Sequence, residues 1–192
     1  MKKFIASILL LAPMILSATQ YVGFQAGTAY PYHTDSKAKG QKVGYKVGAT
    51  YGYDFANNWR VEGEFTYRSS EQREKYVLGA DDALISKEHR CHHSFAYMVN
   101  GYYDLAQISY ATITPYVGIG LGYHQSTAKI KLQTALATHE TKERDSNFAY
   151  QGIIGLKYPI ADKVSVSVEY HYFCGQPHVK DHSFGVALAR SF

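Results

Sequence analysis

Eight stretches of about ten residues, each alternating bulky apolar with small or charged side chains, constrain this 192-residue chain more than any other feature. They are YVGFQAGTAY, VGYKVGATYGYDF, WRVEGEFTYRS, SFAYMVNGYYDL, TPYVGIGLGYH, FAYQGIIGLKYPI, VSVSVEYHYF and SFGVALARSF. In the third run Trp59, Val61, Gly63, Phe65 and Tyr67 share one face, opposed by Arg60, Glu62, Glu64, Thr66 and Arg68. A period of two sustained this far means β-strand, because successive side chains of an extended chain point to opposite sides. Ten residues is also the length of a tilted strand that crosses a bilayer.

The connections alternate in length. Those at 56–58, 106–113 and 161–163 are short, whereas 31–42, 69–90, 125–146 and 174–182 are long. Short turns on one side and long loops on the other predict an all-β fold, an eight-stranded antiparallel transmembrane β-barrel with periplasmic turns and extracellular loops. A soluble barrel or sandwich would turn its polar face to water. Here that face is too small for the purpose: in the last run Ser183, Gly185, Ala187, Ala189 and Ser191 oppose the bulky residues. Aromatic residues gather at both ends of the runs, Trp59, Tyr103 and Tyr158 near the short turns and Tyr45, Tyr67 and Tyr123 near the long loops, as two membrane interfaces require. Abundant tyrosine (18) and glycine (16) with only 5 prolines fits many strands and a crowded interior.

The first residues, MKKFIASILLLAPMILSATQ, carry two lysines, an apolar run from Phe4 to Leu16 and small residues at Ser17 and Ala18. That pattern predicts a signal peptide over 1–18, too short in its apolar part for a membrane anchor, followed by one barrel domain over 19–192. A net charge of +4 that includes the two leader lysines gives no reason to expect a nucleic-acid partner.

Within the barrel the polar face supplies charges of both signs: Lys46, Arg60, Glu62, Glu64, Arg68, Lys157 and Glu169. Eight strands leave an interior that side chains fill, so these residues are expected to pair across the lumen as a structural charge network. A narrow channel is the alternative.

All nine histidines fall in the outer half of this topology, and EHRCHH, entering the fourth run, holds His89, Cys91, His92 and His93. Three readings stay open for this concentration. Cys91 and Cys174 could form a disulfide if the loops fold over the mouth, since export permits it. A zinc or copper site could use Cys91, His92 or His93 with His178 or His182, although no fixed ligand spacing marks one. Solvated loop histidines are the third reading. His124, Ser126 and Glu140 resemble the His, Ser and acidic set of lipid A deacylases, but strand parity turns His124 inward, away from a lipid substrate. The chain is therefore expected not to be an enzyme, with no cofactor and no resident metal. The loops at 69–90 and 125–146 alternate apolar and polar residues beyond the membrane zone. They read as extended hairpins open to an external partner, a host molecule or another extracellular ligand.

On the segments ITPYVGIGLGY and FAYQGIIGLKYPIADKVSVSVEYHYF and the terminal Phe192, the chain resembles the small outer-membrane β-barrel family of Gram-negative bacteria, the OmpA-like and surface-antigen group. The resemblance covers nearly all of 19–192. It implies a bacterial outer-membrane location, outer-membrane lipids as surroundings, and Phe192 as the aromatic signal read by the barrel-assembly machinery. Arg190 departs from the pattern, standing on the outer face where the family places an apolar residue; near the periplasmic interface its side chain can reach water. The function expected is that of a structural surface protein of adhesin or surface-antigen type whose loops bind external partners. A lipid A-modifying enzyme is the more distant alternative.

Overall fold

The computed structural model describes residues 18–33, 43–55, 57–71, 75–78, 84–108, 112–134, 138–176 and 179–192. The expected signal peptide, except Ala18, lies outside them, as do His178 and parts of the long loops. The strands are β1 (Thr19–His33), β2 (Gly44–Asp54), β3 (Trp59–Glu71), β4 (Lys75–Leu78), β5 (Leu84–Asp104), β6 (Thr114–Thr134), β7 (Thr138–Ala161), β8 (Val164–Gln176) and β9 (Val179–Ser191). Every pairing is antiparallel. Neighbours run β3-β2-β1-β9-β8-β7-β6-β5, and β3 pairs with β5 to close the ring. Eight strands thus form the barrel predicted from the alternation. β4, an addition to it, pairs with β5 and forms the other limb of the hairpin inside the expected 69–90 loop.

Burial is inverted relative to a soluble protein. Ile119 is 75 % exposed and Phe24 68 %, while Lys46 is 1 % exposed and Glu64 3 %. Apolar side chains this open, wrapped round a polar core, are stable only where hydrocarbon replaces water outside. Rings mark the two interfaces: Trp59 stacks near Tyr103 with centroids 5.0 Å apart at the short-turn end, and Tyr67 meets Phe95 at 5.2 Å at the long-loop end.

The backbone at the short turns fits its residues. Asn58 takes φ 70°, a left-handed value that asparagine tolerates, and Asn57 Oδ1 accepts the Trp59 N–H at 3.2 Å. Inside, glycines admit tyrosines that fold across the neighbouring strand. A Cβ on Gly52 would lie 2.3 Å from the Tyr21 ring, and one on Gly155 would lie 2.3 Å from that of Tyr116.

The strands β5, β6 and β7 reach well past the outer aromatic belt, into the segments 69–90 and 125–146 whose alternation reads as extended hairpins. Pairing continues without a break from Asp104↔Tyr116 to Ser86↔Thr134, and from Thr114↔Lys157 to Gln133↔Thr138. With β4 they make a small sheet standing above the barrel.

Candidate functional site

Two regions carry the chain's polar chemistry, the lumen and the sheet above it. In the lumen the charges lie in tiers. At the periplasmic end Asp104 is shared by two cations: Arg60 Nε donates to Oδ1 at 3.0 Å, and Lys157 Nζ donates to Oδ2. The Arg60 guanidinium also lies between Tyr102 and Tyr116, 4.8 Å from each ring centroid. One step inward, Glu62 accepts hydroxyl hydrogens from Tyr21 at 3.0 Å and Tyr102 at 3.1 Å. Glu169 accepts from Tyr116 and from Ser167, and pairs with His171 Nε2 at 2.8 Å.

Above these, Glu64 Oε2 receives Asn100 Nδ2 and Gln151 Nε2, each at 2.7 Å. Lys46 lies buried near it, opposite Arg68 in the β2–β3 ladder. Arg68 stacks on Phe173 and reaches Asp181, with Nε 3.7 Å from Oδ2. Of the charged residues on this face, Lys46, Arg60, Glu62, Glu64 and Arg68 are buried, and Lys157 and Glu169 are partly exposed. Their partners Asp104, Asp181, His171, Tyr21, Tyr102, Tyr116, Asn100 and Gln151 were not singled out from sequence. Parity could have found them, because each sits at an inward position of its strand. The lumen cavities open near the periplasmic end, about 180 Å³ around Lys157 and Lys163 and about 30 Å³ beside Glu62 and Glu169.

Among the described residues the outer histidines and cysteines do not converge. Cys91 and Cys174 are not bridged; they stand on β5 and β8, strands with β6 and β7 between them. The reason is geometric: both sit in the barrel wall, where ladder pairing fixes their separation. His93 Nδ1 is hydrogen-bonded to the Tyr67 hydroxyl at 2.7 Å, and His182 Nδ1 to that of Tyr170 at 2.6 Å, two ring pairs built into the outer belt. Among the described residues no group of three His, Cys, Asp or Glu side chains is placed to hold a metal ion. His124 is buried with its ring edge-on to Phe173 at 5.3 Å, facing the lumen and not the bilayer. Phe192, by contrast, is exposed at the end of β9, its N–H donating to Gln20 O at 3.0 Å, and Arg190 is exposed on the outer face.

A closed antiparallel barrel with a polar filled lumen, an apolar exterior and two aromatic girdles defines an integral outer-membrane protein. The family model described as outer membrane protein beta-barrel domain matches residues 4–192, and the chain belongs to that family. It is 28 % identical over 134 residues to the outer membrane protein PagN of Salmonella typhimurium, covering 65 % of this chain and 55 % of that protein. To an outer membrane protein of Gluconacetobacter diazotrophicus it is 26 % identical over 137 residues, 68 % of this chain and 35 % of that one. The matched regions thus span about half and about a third of these relatives. Two solved structures share the fold at 15 % identity and a TM-score of 0.57. One is Neisserial surface protein A, covering 90 % of this chain and 97 % of that one. The other is Ail, the attachment invasion locus protein of Yersinia pestis, in complex with the heparin analogue sucrose octasulfate, with 92 % and 99 % covered. The chain is a protein of the Gram-negative outer membrane.

Proposed function

We propose that this protein is a surface adhesin in which the barrel is the anchor and the β4–β5–β6–β7 sheet is the binding element. One observation carries the reading: three barrel strands continue as a single hydrogen-bonded sheet beyond the outer belt, presenting a rigid surface to the exterior. A lumen crossed by side chains, with Arg60 and Lys157 on Asp104 and His171 on Glu169, supports anchorage over transport. Ail is by name a protein of attachment and invasion, and its fold is the one this chain shares.

The mode is strand addition. The β7–β8 ladder begins at Tyr150, so the described pairings give β7 from Thr138 to Ala149 a neighbour on β6 alone. An edge of this kind offers alternate backbone N–H and C=O groups to an extended partner segment. Exposed charges of both signs there, Lys142, Arg144 and Asp145, discourage indiscriminate apolar pairing. Outer-membrane lipids surround the barrel, and the barrel-assembly machinery is the partner that reads Phe192 during insertion.

The test compares cells displaying the full protein with cells displaying versions lacking residues 69–90 or 125–146, scored for attachment to a host-cell monolayer. Heat-dependent gel migration reports barrel folding in parallel. Attachment lost with the barrel intact is the expected result, and attachment undiminished by both deletions would sink the proposal.

A further inference from the structure

Glu62 and Glu169 face one small cavity in the lumen, about 30 Å³, which Gln25 and Thr50 also line. Room on that scale admits one water molecule or one small ion. The charges around it do not balance. Lys46 lies by Glu64 and Arg68 by Asp181, so those two pairs cancel. Arg60 and Lys157 bring two positive charges to the single carboxylate of Asp104, which leaves one to set against both Glu62 and Glu169. The lower lumen therefore carries one negative charge too many, a costly state away from water. His171 does not supply the missing positive charge. Its Nε2–H donates to Glu169 at 2.8 Å, as a neutral imidazole can, and a second proton would stand on Nδ1, which is buried without a partner.

Gln25 points the same way by a separate route. Its side chain is 6 % exposed and lines the cavity, yet among the described residues it has no hydrogen-bond partner. A buried amide left so is rare and calls for a ligand. We infer that the cavity holds one monovalent metal cation, of the sodium or potassium class, between Glu62 and Glu169. Each carboxylate oxygen has two lone pairs. Tyr102 takes one on Glu62 Oε1, Tyr21 one on Glu62 Oε2 and His171 one on Glu169 Oε2, so three oxygens keep a lone pair for the ion. The Gln25 amide oxygen and the Thr50 hydroxyl add neutral donors, and an all-oxygen set suits a hard cation.

Charge selects the occupant. A water molecule fits the space but leaves the imbalance, and a divalent ion would reverse it. Nor is any group of three His, Cys, Asp or Glu among the described residues placed to hold a divalent metal. The way in is from the periplasm: Tyr21, Arg60, Lys157, Ser165 and Ala189 line both this cavity and the one of about 180 Å³ that opens there, which also holds Asp54 and Asp162. The donors come from β1, β2, β3 and β8, so no spacing along the chain marks the site.

The experiment measures urea unfolding rates of the full barrel in lipid vesicles, with divalent ions chelated, in sodium chloride, potassium chloride and N-methylglucamine chloride at equal ionic strength. The organic cation screens charge as the others do but is too large for the cavity. Wild type is expected to unfold several-fold more slowly in sodium or potassium than in N-methylglucamine, and the salt that slows it more identifies the ion. Gln25→Leu, which removes a donor and no charge, is expected to lose the difference. Lys163→Met, in the larger cavity only, is expected to keep it. If Gln25→Leu does not fold, as judged by heat-dependent migration, Thr50→Val takes its place. Equal rates in all three salts overturn the inference, as does a cation effect undiminished in the Gln25 or Thr50 variant. So does slower unfolding at acid pH with no cation effect, which would put a proton where the ion is placed.

Discussion

Arg68 lays its guanidinium over the ring of Phe173, 3.8 Å from the centroid, and both side chains are buried inside the barrel. His124 meets the same ring edge-on at 5.3 Å, and Asp181 Oδ2 lies 3.7 Å from Arg68 Nε. The arrangement places a desolvated cation against an aromatic face, an attraction larger in such a setting than at a surface. Phe173→Ala removes both the ring and the cover over Arg68. We expect it to destabilise the barrel by about 3–5 kcal/mol, the usual range for deleting a buried phenyl group, measured by urea unfolding in lipid vesicles.

Asp104 is the only carboxylate that the described ion pairs give to Arg60 and Lys157. Its replacement by alanine leaves Arg60 a buried cation without its ion-pair partner. The expected loss is about 3–5 kcal/mol, with Lys157→Met costing less because that side chain is partly exposed. Equal losses from the two variants in the same unfolding assay would contradict the shared-carboxylate arrangement.

The membrane boundary can be read from arginine tolerance along β9. Val186 lies midway down the lipid-facing side of that strand, paired with Ala26 and Val168, whereas Arg190 lies near its periplasmic end beside Val22 and Val164. Val186→Arg is expected to cost about 2–4 kcal/mol, and Arg190→Leu to change stability by no more than about 1 kcal/mol. Comparable effects at the two depths would misplace the hydrocarbon band.

Both cysteines are thiols, but their surroundings differ. Cys174 is buried and Cys91 half-buried. Alkylation of the protein unfolded in denaturant without reductant should add two labels by intact mass. In the folded barrel Cys174 should react markedly more slowly than Cys91. An unlabelled mass about two hydrogens light would show the bridge that the strand geometry forbids.

Much of this architecture was legible because a barrel writes its environment into alternate positions. Val99 and Asn100 are neighbours in sequence, one facing lipid and one fully buried, and parity alone separates them. The same rule puts Lys46, Glu64 and Arg68 in the lumen from sequence alone. It could not say which charge meets which, because strand tilt and register set the heights of residues distant in sequence. Gln151 and Glu64 are joined across the lumen from β7 and β3, a contact no local pattern encodes. Nor could it place the ends of β5, β6 and β7. The alternation in 69–90 and 125–146 carries past the aromatic belt and reads as hairpins, but with water on both faces nothing in it fixes the residue at which a strand stops. The cysteine pairing failed for a related reason: like compartment and like height in the topology do not bring two walls of a barrel together.

The seam of the barrel joins β1 to β9, with Tyr21 opposite Ser191. That contact spans nearly the whole sequence, so the ring closes only after every other hairpin is available to it. Until then two strand edges stay open, and an open edge has no place in hydrocarbon. Closure is therefore a late, high-contact-order event. A chain waiting in the periplasm must be shielded from pairing with its neighbours, and damage to either seam strand should appear as slow or failed insertion before it appears as lower stability of the finished barrel.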